Sequence, residues 1–209
     1  MSKRTTKRAQ QGFSMVEVVV VLALAFVVMG FAVVNTMTSG FNAKANSAMD
    51  GLISVLRQGR EMAIAKRRNV EVTFTAPNKI QLTVLTLPGE VAGTAIPAVY
   101  LNDNAAGGLS FMVFGTLPDT PMNFGNSQPI NLQQPSGGGT WAVMFTTSGS
   151  FVGSTQTAAN LYLTANNNPV NASLFMGITG KTNTARAVTI FGATGRVRSY
   201  YWTGTSWQE

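Results

Sequence analysis

The chain has no cysteine and no histidine among its 209 residues. Without cysteine there is no disulfide, no thiol nucleophile and no thiolate metal site, and an exported chain must then rely on the size of its core. Without histidine the commonest general base, the usual catalytic triads and most zinc sites are gone. Charge is scarce as well: Asp, Glu, Lys and Arg together make up 11%, against roughly 25% in ordinary soluble domains. Among the few acids, Asp103 and Asp119 lack calcium-loop spacing. No catalytic constellation emerges, so the chain is expected to be no enzyme and to need no cofactor or metal.

What is present is apolar surface, 45% of residues, and a net charge of +7. Placement of that charge matters more than its sum. Lys3, Arg4, Lys7 and Arg8 precede residue 13 with no acid among them, leaving 11 basic and 8 acidic residues from Phe13 onward. Basicity of this kind is an orientation signal more than a nucleic-acid signature. The apolar run from Phe13 to Val34 that follows is too long for a secretory h-region, and no small-x-small cleavage site follows it. At ~1.5 Å per residue it spans roughly 33 Å, one hydrocarbon core. The basic residues ahead of it place the N-terminus in the cytoplasm by the positive-inside rule.

Glu17 interrupts this run. A carboxylate in hydrocarbon costs several kcal/mol unless it is paired or snorkels to the interface. Four basic residues, then Gly12, Phe13, Ser14, Met15, Val16, Glu17 and a long Val/Leu/Ala run, resemble the class III signal of type IV prepilins and type II secretion pseudopilins. The resemblance implies cleavage between Gly12 and Phe13 by a membrane peptidase, N-methylation at Phe13, and retention of the helix in the mature protein. The ammonium so created at Phe13 lies four residues from Glu17, on the same helical face. In a filament of packed N-termini that carboxylate can neutralise a neighbour's amine, a pairing that makes a buried charge tolerable. The apolar run lacks the proline that many major pilins carry partway along it, which points to a minor subunit.

From Asn35 to about Arg68 the pattern is amphipathic. Met37, Phe41, Ala45, Ala48, Leu52, Leu56, Gly59 and Ala63 recur at steps of three or four, one helical stripe. Gly40 and Gly51 weaken that helix by up to about 1 kcal/mol each. Lys66, Arg67 and Arg68 close it, either as cations offsetting the helix dipole or as a contact for an acidic partner or headgroups. After Asn69 the period becomes two. Strands are predicted at 70–74, 79–87, 109–114, 141–147, 161–165, 172–180 and 186–192, separated by turn clusters such as "NNNP" and "PSGGG". Residues 115–139 are expected to be loop. The predicted fold is α+β: a long N-terminal helix, transmembrane in its first half, packed on an antiparallel β domain. Its expected segments are a leader (1–12), a filament-core helix (13–34), an amphipathic spine (35–69) and a β domain (70–209).

The stretches "LISVLRQGREMAIAKRRNVEVTF" (52–74), "FTTSGSFVG" (145–153) and "AVTIFGATGRVRSYYW" (187–202) resemble the GspH/FimT-like minor pilins and pseudopilins. In those relatives a Gly-Arg-x-Arg segment near the C-terminus is associated with DNA capture. That reading carries over to residues 195–198 only. Between Asp119 and Glu209 no acid occurs, while Lys181, Arg186, Arg196 and Arg198 are all basic. Arg196, Arg198 and Tyr200 alternate on one strand face, and arginines beside aromatics can hold phosphate and stack bases. A polar hairpin face or a subunit contact is the reading preferred over DNA, and the same four basic residues are candidates for contact with an acidic partner. Expected partners are other pilin or pseudopilin subunits, the prepilin peptidase and methyltransferase, and an inner-membrane assembly platform. The expected location is the bacterial inner membrane, then a periplasmic pseudopilus or a surface pilus.

Overall fold

The computed structural model describes residues 14–86, 93–101, 108–127, 130, 140–157 and 160–209. They form one helix, α1 (Met15–Lys66), and twelve strands. The strands are β1 (Val70–Thr75), β2 (Lys79–Val84), β3 (Thr94–Ala95), β4 (Val99–Tyr100), β5 (Leu109–Phe111) and β6 (Thr140–Phe145). Then follow β7 (Phe151–Thr157), β8 (Asn160–Pro169), β9 (Ala172–Ile178), β10 (Lys181–Phe191), β11 (Arg196–Trp202) and β12 (Trp207–Gln208). The chain divides into two compact units, Met1–Gly40 and Phe41–Glu209, with the break inside α1 at Gly40.

In the first unit the described part of the helix is apolar and unburied. The 18 residues Met15–Ala32 are long and apolar enough to cross a membrane, and none of them is buried within the protein. Phe26, Val28 and Phe31 each expose more than two-thirds of their surface. A water-soluble fold does not leave such a patch uncovered.

In the second unit α1 becomes the core spine. Ala45, Ala48, Leu52, Leu56 and Ala63 are buried, as the stripe requires, and Phe41 packs partly against them. Met37 lies where side chains are outside the described set. Gly59 belongs to the stripe for a steric reason: a Cβ there would sit 3.1 Å from Leu82 Cδ2 and 3.4 Å from Phe145 Cδ2. The helix ends in a Schellman arrangement. Arg67 adopts φ 49°, its N–H donates to Ile64 O, and that of Arg68 donates to Ala63 O. The basic cluster is thus the helix C-cap, and Lys66 stands in the last turn, where the dipole favours a cation.

Two antiparallel sheets receive this spine. One runs β3-β2-β1-β6-β7-β8, with β4 also on β2; the other runs β12-β11-β10-β9-β5. Alternation in β1 sends Val70, Val72 and Phe74 inward, each fully buried. Their register partners across β6 are Phe145, Val143 and Trp141. From the second sheet Leu174, Met176, Val188 and Ile190 join the same core, and Phe111 meets Phe74 edge-to-face at 5.8 Å. Both faces of β9, and of β10 from Thr184 to Ile190, are buried. A second, smaller core of Phe114, Phe175, Ala185, Ala187, Tyr200 and Trp207 lies on their far side. It is strapped by residues 112–127, where Asp119 accepts from the N–H groups of Thr120 and Gly125 and Trp207 Nε1 donates to Pro118 O at 2.8 Å.

The predicted strands all occur, with shifted limits. Of the expected loop at 115–139, residues 115–127 contain neither helix nor strand, whereas Ile130 is buried and makes an isolated antiparallel bridge to Leu174. "NNNP", expected to separate strands, instead ends β8. That strand is the edge of its sheet, where Asn and Pro are tolerated because one side needs no ladder bonds. The predicted strand at 109–114 stops at Phe111: Phe114 turns to lie on Gly177, where a Cβ would meet its Cζ within 2.3 Å. The short strands β3, β4 and β12, and the longer β7, have no counterpart among the predicted strands, and β11 is expected only through the alternation of Arg196, Arg198 and Tyr200. Because Leu56 is fully buried at the helix–sheet contact, Leu56→Ala is expected to cost about 2–5 kcal/mol. Ser54→Ala on the exposed helix face should stay within about 0.5 kcal/mol; chemical denaturation of the two variants measures the difference.

Candidate functional site

Two regions carry candidate function. The first is the N-terminal helix. Glu17 stands in the first turn of α1, exposed on a segment whose other side chains are almost all apolar. Gly12 and Phe13 lie outside the described residues, so the spacing of Phe13 and Glu17 is a sequence relation. At a helix N-terminus a carboxylate is also favoured by the dipole.

The second region is a cleft of about 640 Å³ between α1 and the β10–β11 hairpin, lined by Arg57, Arg60, Glu61, Thr194, Gly195, Arg196, Val197, Arg198 and Glu209. Four arginines against two glutamates leave it net positive. Arg60 builds one wall. Its Nε donates to Gly149 O (3.3 Å) and to Thr194 O (3.1 Å), so one helix side chain pins the tips of two hairpins. Gly149 (φ 81°) and Gly195 (φ 61°) serve the same junction, since a Cβ on Gly195 would fall 2.2 Å from Gly149 O. β11 supplies the other wall. Arg198 Nη1 meets Glu209 Oε2 at 3.3 Å, with the two side chains 26% and 56% exposed. A pair this open to solvent contributes about 0–1 kcal/mol. The Nε of Arg198 is enclosed and has no hydrogen-bond partner.

The basic residues singled out from the sequence do not form one patch. Arg196 and Arg198 share a face, opposite Phe191 and Thr189 of β10, and both line the cleft. Arg186, three residues from Thr189, therefore faces the other way and is 4% exposed. It donates from Nε to Asn46 Oδ1 (2.7 Å) and from Nη1 to Ala185 O and Asn183 O. Burial pushes its pKa below the usual arginine value. Lys181 is exposed at the start of β10, with Nζ 4.6 Å from the centre of the Phe41 ring. Tyr200 continues the Arg196–Arg198 face, as alternation requires, yet it is 3% exposed within the smaller core and offers no stacking surface. Tyr201 is more exposed and donates its hydroxyl to Gln208 Oε1.

Arg57, Arg60, Glu61 and Glu209 were not among the residues expected from the sequence. Arg57 and Arg60 are three apart on the helix and so neighbours on one face. Their position beside the stripe residues Leu56 and Gly59 is the signal that they border the sheets. Nothing local in sequence ties them to residues more than 130 positions away.

Residues 7–33 match the family described as the prokaryotic N-terminal methylation motif. The chain therefore carries the N-terminal methylation motif of prokaryotic pilins on an α+β fold, a helix followed by antiparallel sheets. The apolar helix together with this motif is consistent with membrane anchoring. No curated protein matches the chain by sequence. Among solved structures, the crystal structure of the type IV minor pilin FimU from Pseudomonas aeruginosa is similar at 13% identity and a TM-score of 0.44, over 83% of this chain and 96% of that one.

Since the Arg60 bonds to Gly149 and Thr194 carry a charged donor, Arg60→Met should lower stability by about 1.5–3 kcal/mol. Amide hydrogen exchange should rise most in the turns at 146–150 and 192–195, whose carbonyls Arg60 holds.

Proposed function

We propose that this chain is a filament subunit, a minor pilin or pseudopilin. It enters the inner membrane through residues 13–34, is cleaved after Gly12, and carries a methylated amine at Phe13. It then packs into a type IV pilus or a type II secretion pseudopilus. The observation that carries this reading is the match of residues 7–33 to the methylation motif, together with the apolar stretch Met15–Ala32 of α1, none of which is buried. That helix has two uses for one apolar surface, lipid before assembly and other subunits' helices after it. Residues 41–209 form the unit displayed on the filament. Its partners in this scheme are the other subunits, the prepilin peptidase and methyltransferase, and the assembly platform.

Capture of DNA by Arg196, Arg198, Lys181 and Arg186 is less well supported. Arg186 is buried against Asn46, Lys181 stands over Phe41, Tyr200 is enclosed, and Glu61 and Glu209 line the cleft around the other two.

Mass spectrometry of the N-terminus tests the main reading: the mature protein should begin with monomethylated Phe13, and an intact Met1 in a strain with an active prepilin peptidase would overturn it. Glu17→Ala should leave cleavage intact and strongly reduce incorporation into filaments, as expected if the carboxylate pairs with a neighbouring amine. Normal incorporation of that variant would remove the pairing.

A further inference from the structure

The arginine cleft runs along an open strand edge. In the turn after β11, Thr203 N–H donates to Ser206 O, and Tyr201 stands opposite Gln208. Alternate residues of an antiparallel pair exchange the hydrogen bonds. Tyr201 therefore turns its N–H and C=O toward β12, and by the same parity Val197 and Ser199 turn theirs outward. β12 covers only Tyr201 and Trp202, and among the described residues no strand pairs with Val197 or Ser199 on that side. Beside this edge stand Arg57, Arg60, Arg196 and Arg198. One carboxylate, that of Glu209, already sits on Arg198 through a single 3.3 Å bond, with the arginine Nε left without a partner. Arginine binds carboxylates best through two parallel bonds, so its donor capacity here is only partly used.

We infer that this cleft binds an extended acidic segment of a partner protein, which adds a strand to β11 and places carboxylates on Arg196 and Arg198. Strand addition takes its affinity from main-chain bonds and its specificity from alternate side chains. Arg196 and Arg198 are two residues apart on one face, so the matching segment carries Asp or Glu at alternate positions. Glu209 is the resident competitor for Arg198. A second copy of this chain cannot supply the segment, because its acidic residues are never closer than the ten positions separating Glu61 from Glu71. The partner is a different protein. A peptide also fits the site better than a nucleic-acid backbone does, because the N–H and C=O groups of Val197 and Ser199, which no strand pairs on that side among the described residues, complement another main chain.

The test uses the full-length chain in detergent micelles and a fluorescent synthetic peptide of β-forming residues with glutamate at alternate positions, read by anisotropy at low salt. A glutamine version of the peptide, and the Arg196→Gln/Arg198→Gln chain with the original peptide, should each bind at least about tenfold more weakly. Glu209→Gln, at an exposed position, should bind the original peptide more tightly by about two- to fivefold, because a competing carboxylate is gone. N-methylation of the peptide backbone on its pairing side should abolish binding, with the circular dichroism of all chain variants unchanged. The inference is overturned by absence of peptide binding, by equal binding of the glutamine peptide, by indifference to the arginine substitutions, or by weaker binding to Glu209→Gln. Tighter, arginine-dependent binding of a DNA duplex than of the peptide would also overturn it and assign the cleft to DNA. No filament is needed, so failure here leaves the N-terminal processing result untouched.

Discussion

Burial of one face of α1 between Ala45 and Ala63 is the contact on which the second unit depends. The two sheets are separately paired, yet residues from both meet the same helical stripe in one core. Remove the stripe and each sheet keeps its ladder but loses a dry face to pack on. The stripe is built from small and branched side chains, Ala45, Ala48, Leu52, Leu56 and Ala63, with Gly59 where β2 and β6 come closest. Close approach of backbone to sheet, rather than bulk, sets the spacing, since one added methyl at Gly59 meets two neighbours inside normal contact distance.

Along the same helix the opposite condition holds before Gly40. Met15–Ala32 has no protein surface of its own to cover it. One sequence therefore encodes a helix for two environments, and residue choice changes accordingly. Branched and aromatic residues surround the first part on all sides, whereas the second part alternates a buried stripe with Lys44, Asp50, Arg57 and Glu61 facing water. A helix apolar all round belongs in lipid or among other helices, and one with a single apolar stripe belongs on a protein surface.

Much of this was legible in the sequence because period is a local property. The stripe on α1 and the strands at 70–74, 141–147 and 172–180 all follow from spacing and turn chemistry. What escaped was decided by distant partners. The two-residue strands β3, β4 and β12 have too few positions to show alternation. Phe114 leaves the sheet because Gly177, more than sixty residues away, offers a flat place for its ring. Arg186 and Arg198 look equivalent in sequence, both basic and both on strands. Parity relative to β10 buries one against Asn46 of α1 and places the other at the cleft. Four basic residues in one acid-free stretch therefore divide among three environments, and only the register reveals it.

The cleft owes its shape to the helix more than to the strand that gives it two arginines. Arg60 holds the carbonyls of Gly149 and Thr194, and the two glycines at those tips leave room for its side chain to pass. The position of the β10–β11 hairpin is thereby referenced to α1 rather than to the flexibility of its own turn. A loop tip free to move would lose entropy when a partner ordered it, at about 1–2 kcal/mol per backbone residue. A tip already clamped to a rigid spine avoids most of that loss. The same helix that buries the core through Leu52 and Leu56 thus fixes, one turn further on, the surface that another protein would meet.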